Sequence, residues 1–122
     1  MRIVLGIGGT PDAMQALERT VQRTTETGDR LTIAILENPD ADRSAAEIEA
    51  AVANVLDEHD ASAEVVQLAG EPGPALTDFA AEGAFDRIVL GGGHRSPMGK
   101  IAVGRVAEFV IMNADRTVTL IR

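Results

Sequence analysis

The 122-residue chain has no cysteine, tryptophan or tyrosine, and its only aromatics are three phenylalanines. Without cysteine there can be no disulfide, thiolate metal site or thiol nucleophile. So few aromatics leave little for bases to stack on. Nineteen acidic residues against eleven basic ones give a net charge of −8, which rules out a general nucleic-acid surface. Lysine is nearly missing too: Lys100 is the only one, and the other bases are arginine. An acidic surface with almost no lysine is what a high-salt cytoplasm selects, because salt screens the self-repulsion. A halophilic source is therefore one expectation, and acidic drift in a GC-rich genome is the other. No apolar run approaches the ~18 residues of a membrane span and no leader pattern opens the sequence, so a cytoplasmic location is expected.

Hydrophobic residues make up 45% of the chain, enough for one core, and the length predicts one domain over residues 1–122. Strand and helix patterns alternate. Arg2–Ile7 is a near-continuous apolar run, as in a strand covered on both faces. Gly8 and Gly9 break it, Thr10 and Pro11 open a helix, and Met14, Leu17 and Val21 form its apolar stripe up to Gly28. Leu31–Leu36 is a second strand. Ser44 with Glu47 reads as a capping box for a helix carrying Ile48, Val52, Val55 and Leu56 to about His59. Glu64–Leu68 is a third strand, Gly70–Pro74 a turn, and Leu76, Phe79 and Ala80 a short helix closed by Gly83. Arg87–Leu90 is a fourth strand, followed by a glycine-rich segment, Gly91–Lys100. Val103, Val106, Val110 and Ile111 mark the last helix, with Phe109 and Met112 read as packing residues, and Thr117–Ile121 is the fifth strand.

Such alternation with short links implies a parallel sheet with helices on both faces. Strands one, two and four are apolar throughout and belong in the centre. Strand three carries Glu64 and Gln67, and strand five alternates Thr with aliphatics, so both belong at edges. The order 3-2-1-4-5 satisfies this and opens a crevice at the carboxyl ends of strands one and four.

The segment from Gly91 to Lys100 carries the most chemistry. Its glycines let backbone N–H groups approach an anion, and the helix after it adds its dipole. His94, Arg95, Ser96, Lys100 and Arg105 supply further donors in an otherwise acidic chain. The plainer reading is a solvated loop whose bases offset local acids. Stricter motifs fail. Five residues separate Gly93 from Gly99 and Ile101 follows Lys100, so there is no Walker A loop; Pro11 stands where a dinucleotide fingerprint needs its third glycine. No acid–base pair, nucleophile–base pair or metal cluster can be assembled, so no enzyme is expected. His59 is best explained as a helix-terminus partner. The paired acids Asp40 and Asp42, and Glu47 and Glu49, read as solvated surface.

Over essentially its full length the sequence resembles the universal stress protein (UspA-like) family. The resemblance rests on the opening RIVLGIGGTPDAMQALERTV, the middle stretch VVQLAGEPGPALTDFAAEGAFDRIVLGGG and the tail GRVAEFVIMNADRTVTLIR. It implies a five-stranded doubly wound sheet of the adenine nucleotide alpha hydrolase-like kind. Members that bind ATP carry G-x2-G-x9-G-[ST] after the fourth strand. Gly91 matches the first glycine and Gly104 the third, but His94 replaces the second and Arg105 the Ser or Thr. Gly8 stands at the acid of the first turn, and Leu36 falls near the adenine-contacting position. A degenerate motif of this kind implies a non-enzymatic stress-response module without tight ATP binding. The alternative is a nucleotide or phosphate sensor built on Gly8, Gly9, Leu36 and the loop from Gly91 to Arg105, with ATP as its candidate cofactor. The resemblance also implies a homodimer through the fifth strand, where no lysine, proline or bulge protects the edge and Val118 and Leu120 would carry the contact.

Overall fold

The computed structural model describes residues 1–8, 11–37, 43–92, 94–95, 101–102 and 104–121. Five strands form one parallel sheet: β1 (Arg2–Ile7), β2 (Arg30–Leu36), β3 (Glu64–Leu68), β4 (Arg87–Gly91) and, last in the chain, β7 (Thr117–Ile121). Their order is β3-β2-β1-β4-β7, the predicted 3-2-1-4-5, with both expected edges at the edges. Between them run α1 (Pro11–Thr27), α2 (Ala45–Glu58), α3 (Pro72–Glu82) and α4 (Arg105–Asn113).

The period-two alternation of the central strands sends successive side chains to opposite faces. Ile3, Leu5, Ile7, Ile33 and Val89 pack under Ala16, Leu17 and Val21 of α1 and Val52 of α2. Val4, Ala34, Ile88 and Leu90 pack on the other face under Leu76 and Ala80 of α3 and Ala107 and Val110 of α4. Both faces are thus buried, which is why these strands are apolar beyond their opening arginines, Thr32 excepted.

The helix ends at Ser44 and Gly28 follow the sequence, while the expected N-cap Thr10 and Val103 of the last helix lie outside the described residues. Ser44 and Glu47 form the full capping box, and Gly28 takes the left-handed conformation at φ 76°. At the end of α3 the expected roles are exchanged. Gly83 has an ordinary φ of −83°, and the next residue, Ala84, takes φ 52°. Glycine is required at 83 for space, because a Cβ there would lie 2.5 Å from the Phe85 ring.

Three further expectations are corrected. The Gly70–Pro74 turn ends early: Pro72 to Pro74 are already α3, since the first helical turn tolerates proline. The glycine-rich segment is not loop throughout, because β5 (His94–Arg95) pairs antiparallel with β6 (Ile101–Ala102), His94 opposite Ala102. Met112 does not pack: it is 76% exposed, and Ile111 is 47% exposed, on the outer side of a helix whose inner face is already filled by Ala107 and Val110. Among the described residues no helix is long and apolar enough to cross a membrane.

Candidate functional site

At the carboxyl ends of the central strands lies a cavity of about 700 Å³. Its walls come from six places in the chain. Gly6 and Gly8 flank the end of β1, Leu36 ends β2 with Glu37 just past it, and Leu90 and Gly91 end β4. The first turns of α1 (Asp12, Ala13), α3 (Pro72, Gly73, Pro74) and α4 (Arg105, Val106, Ala107) face it as well. This is the crevice where chain direction reverses in a doubly wound sheet.

Five of the ten predicted site residues, Gly8, Leu36, Gly91, Gly104 and Arg105, line this cavity. Gly9, Ser96 and Lys100 lie outside the described residues, and His94 and Arg95 are described only as backbone in β5. Sequence reasoning missed Asp12, Glu37, Glu71, Gly73 and Phe109, which also line it. They come from four separate segments. For Asp12, Glu37, Glu71 and Gly73 the signal is a position just past a strand end or at a helix start; Phe109, in the second turn of α4, carries no such signal.

The glycines matching the motif do different jobs. A Cβ on Gly91 would lie 3.1 Å from the backbone carbonyl oxygen of Asp12, so glycine there lets α1 settle against β4. A Cβ on Gly104 would meet nothing within 4 Å. That residue caps α4 in an extended conformation, with no side chain bonded to the cap. A Cβ on Gly73 would lie 2.7 Å from the Phe109 ring, which therefore presses on the first turn of α3.

The three helix N-termini are not equivalent. The first N–H groups of any helix lack intrahelical partners. Proline removes a donor at Pro11 in α1 and two at Pro72 and Pro74 in α3. In α4, Arg105, Val106 and Ala107 all keep theirs. Three carboxylates, Asp12, Glu37 and Glu71, and one guanidinium, Arg105, are the charged groups among the described lining residues. Glu37 Oε2 accepts a hydrogen bond from the Gly70 N–H at 3.0 Å. No group of three or more His, Asp or Glu among the described residues could hold a metal ion. The arrangement offers backbone and guanidinium donors together with buried apolar surface at Leu36 and Leu90.

The family model described as "Universal stress protein family" matches residues 1–122. No curated protein matches the chain. Among solved structures, a universal stress protein from Archaeoglobus fulgidus is 26% identical with a TM-score of 0.76, covering 100% of this chain and 98% of that one. A universal stress protein in complex with cAMP is 22% identical with a TM-score of 0.74, covering 100% and 96%. A universal stress protein from Archaeoglobus fulgidus in complex with dAMP is 22% identical with a TM-score of 0.71, covering 100% and 98%.

Proposed function

The chain belongs to the universal stress protein family, and on that premise we propose that it is a cytoplasmic, non-enzymatic stress-response module whose 122-residue span works as one domain. In this reading the cavity binds an adenine nucleotide with a single phosphate and does not bind ATP tightly. The observation that carries it is the uncapped N-terminus of α4, with Gly104 open beside it and Arg105 at its first position, at one end of a cavity of about 700 Å³. That volume lies within the ~300–1,000 Å³ of small-molecule sites. A phosphate at this end takes the backbone N–H groups and helix dipole of α4, with the Arg105 guanidinium beside it. The base lies toward Leu36 and Leu90. Gly8, Gly9, Gly91, His94, Arg95, Ser96 and Lys100 are the remaining candidate ligand residues of this reading.

The preference for one phosphate rests on charge. A triphosphate brings about four negative charges toward Asp12, Glu37 and Glu71, and like charges a few ångströms apart repel. Side chains at His94 and Arg105, where ATP-binding members have Gly and Ser or Thr, fit the same reading. The solved relatives with cAMP and dAMP also carry one phosphate. The nucleotide acts by occupancy, as a ligand and not as a reactant.

The module works as a homodimer through the β7 edge, with Val118 and Leu120 in the contact, in a salt-adapted cytoplasm. Calorimetric titration with AMP, cAMP, ATP and sulfate at high KCl tests the ligand. AMP is expected at micromolar affinity and ATP at least about tenfold weaker, or roughly 1.4 kcal/mol. ATP binding tighter than AMP, or turnover to ADP, would overturn the reading. Light scattering tests the assembly: wild type is expected as a dimer, with Leu120→Lys shifted toward monomer.

A further inference from the structure

We infer that Glu37 is a positioning residue that holds the α3 wall of the cavity in place through its bond to Gly70. The inference rests on the nucleotide reading for its effect on binding and on the fold alone for its effect on the wall.

Leu36 is the last residue of β2, and its register partner is Leu68 at the end of β3. Beyond that pair the sheet ladder stops. The chain then passes through Ala69 and Gly70 into α3, whose first residues, Pro72, Gly73 and Pro74, form one wall of the cavity. Little in this connection fixes itself. Gly70 turns at φ 94°, and the N-cap, Glu71, makes no side-chain cap bond. Pro72 and Pro74 cannot donate. Among the described residues, what ties Gly70 back to the sheet end is its N–H, which donates at 3.0 Å to Oε2 of Glu37, the residue directly after Leu36.

The other side of the same turn is held by packing. The Phe109 ring of α4 lies where a Cβ on Gly73 would be. The first turn of the wall thus meets a carboxylate on the β2 side and an aromatic ring on the α4 side, while Leu76 and Ala80 bury the body of α3 in the core. Losing the carboxylate loosens the turn through Gly70 and Glu71 while the rest of α3 stays packed. Because Glu37 also lines the cavity, its carboxylate spans the sheet end and the wall within the site itself.

The test uses hydrogen–deuterium exchange on the full chain together with AMP titration, for wild type, Glu37→Ala and Glu37→Gln. In Glu37→Ala, exchange in the peptide covering residues 69–76 is expected to rise about fivefold, with β1 and β4 unchanged. AMP affinity is expected to fall by a similar factor. Glu37→Gln keeps an acceptor oxygen and is expected to recover most of both effects. Unchanged exchange at 69–76 in Glu37→Ala would overturn the inference, as would raised exchange with undiminished AMP affinity. If wild type binds no AMP, the nucleotide reading falls, and the exchange comparison alone still decides whether Glu37 holds the wall.

Discussion

The two ends of the same sheet treat their polar groups in opposite ways. At the amino end, side chains close the structure. The Arg2 backbone N–H donates to Asp86 Oδ2 at 2.8 Å, its guanidinium donates to the Gly83 carbonyl, and that group also lies 4.7 Å from the Phe85 ring centroid. Arg116 donates to the carbonyls of Ala80 and Phe85 at 3.2 and 2.7 Å, so two arginines bond the end of α3 and the turn just beyond it. At the carboxyl end, α4 begins without a side-chain cap, and Glu37 makes one bond across to Gly70. One end uses its hydrogen-bonding capacity internally; at the other, among the described residues, no side chain caps the donors of α4 beside the cavity. Stability and binding should therefore separate by end.

The largest effect is expected from Arg116→Ala, which takes the guanidinium donor from the Phe85 carbonyl just beyond α3 and from the Ala80 carbonyl, the latter still bonded to the Phe85 N–H. It should cost about 2–3 kcal/mol in chemical denaturation while leaving AMP affinity unchanged. A loss of affinity with intact folding would break the comparison.

Next come the two motif glycines. Gly91→Ala drives a Cβ toward the Asp12 carbonyl and should cost about 1–2 kcal/mol. Gly104→Ala enters open space and should stay within about 0.5 kcal/mol. Equal costs at the two positions would mean that both glycines serve the same purpose.

Arg105→Ala sharpens the binding side. No carboxylate among the described residues pairs with Arg105, so folding should change by less than about 0.5 kcal/mol. AMP affinity should fall about tenfold, and sulfate affinity with it.

The smallest effect concerns pH. The Arg116 guanidinium, by hydrogen bond and by charge, holds the Asp115 carboxyl below its ordinary value of 3.8. Its contribution to folding is present above the ordinary carboxylate range and is lost as pH falls through the lowered value. Asp115→Asn should therefore be slightly less stable than wild type at neutral pH and match it in strong acid. A gap that persists in acid would assign the effect to packing.

Sequence letters carried the fold well where burial is all or nothing. Apolar runs in β1, β2 and β4 and the polar interruptions Glu64 and Gln67 in β3 sufficed for the strand order, and Ser44 with Glu47 located a helix start. They failed where one letter serves two physical needs. Gly83 reads as a left-handed terminus, yet its glycine makes room for the Phe85 ring while Ala84 takes the positive φ. Met112 reads as core, because only the structure reveals that Ala107 and Val110 already fill the inner face of α4. The cavity was half legible. Glycines at strand ends and Arg105 beside a helix start stand out locally, whereas Glu37, Gly73 and Phe109 acquire meaning only when β2, α3 and α4 meet.

The most direct test of an open carboxyl end and a closed amino end is a ¹⁵N amide shift titration of the wild-type protein with AMP. The account predicts saturable shifts at Gly8, Leu36, Glu37, Gly70 and Arg105 to Ala107, with Arg2, Asp86 and Arg116 unmoved. Shifts centred on Arg2, Asp86 and Arg116, or none anywhere at millimolar AMP, would contradict it.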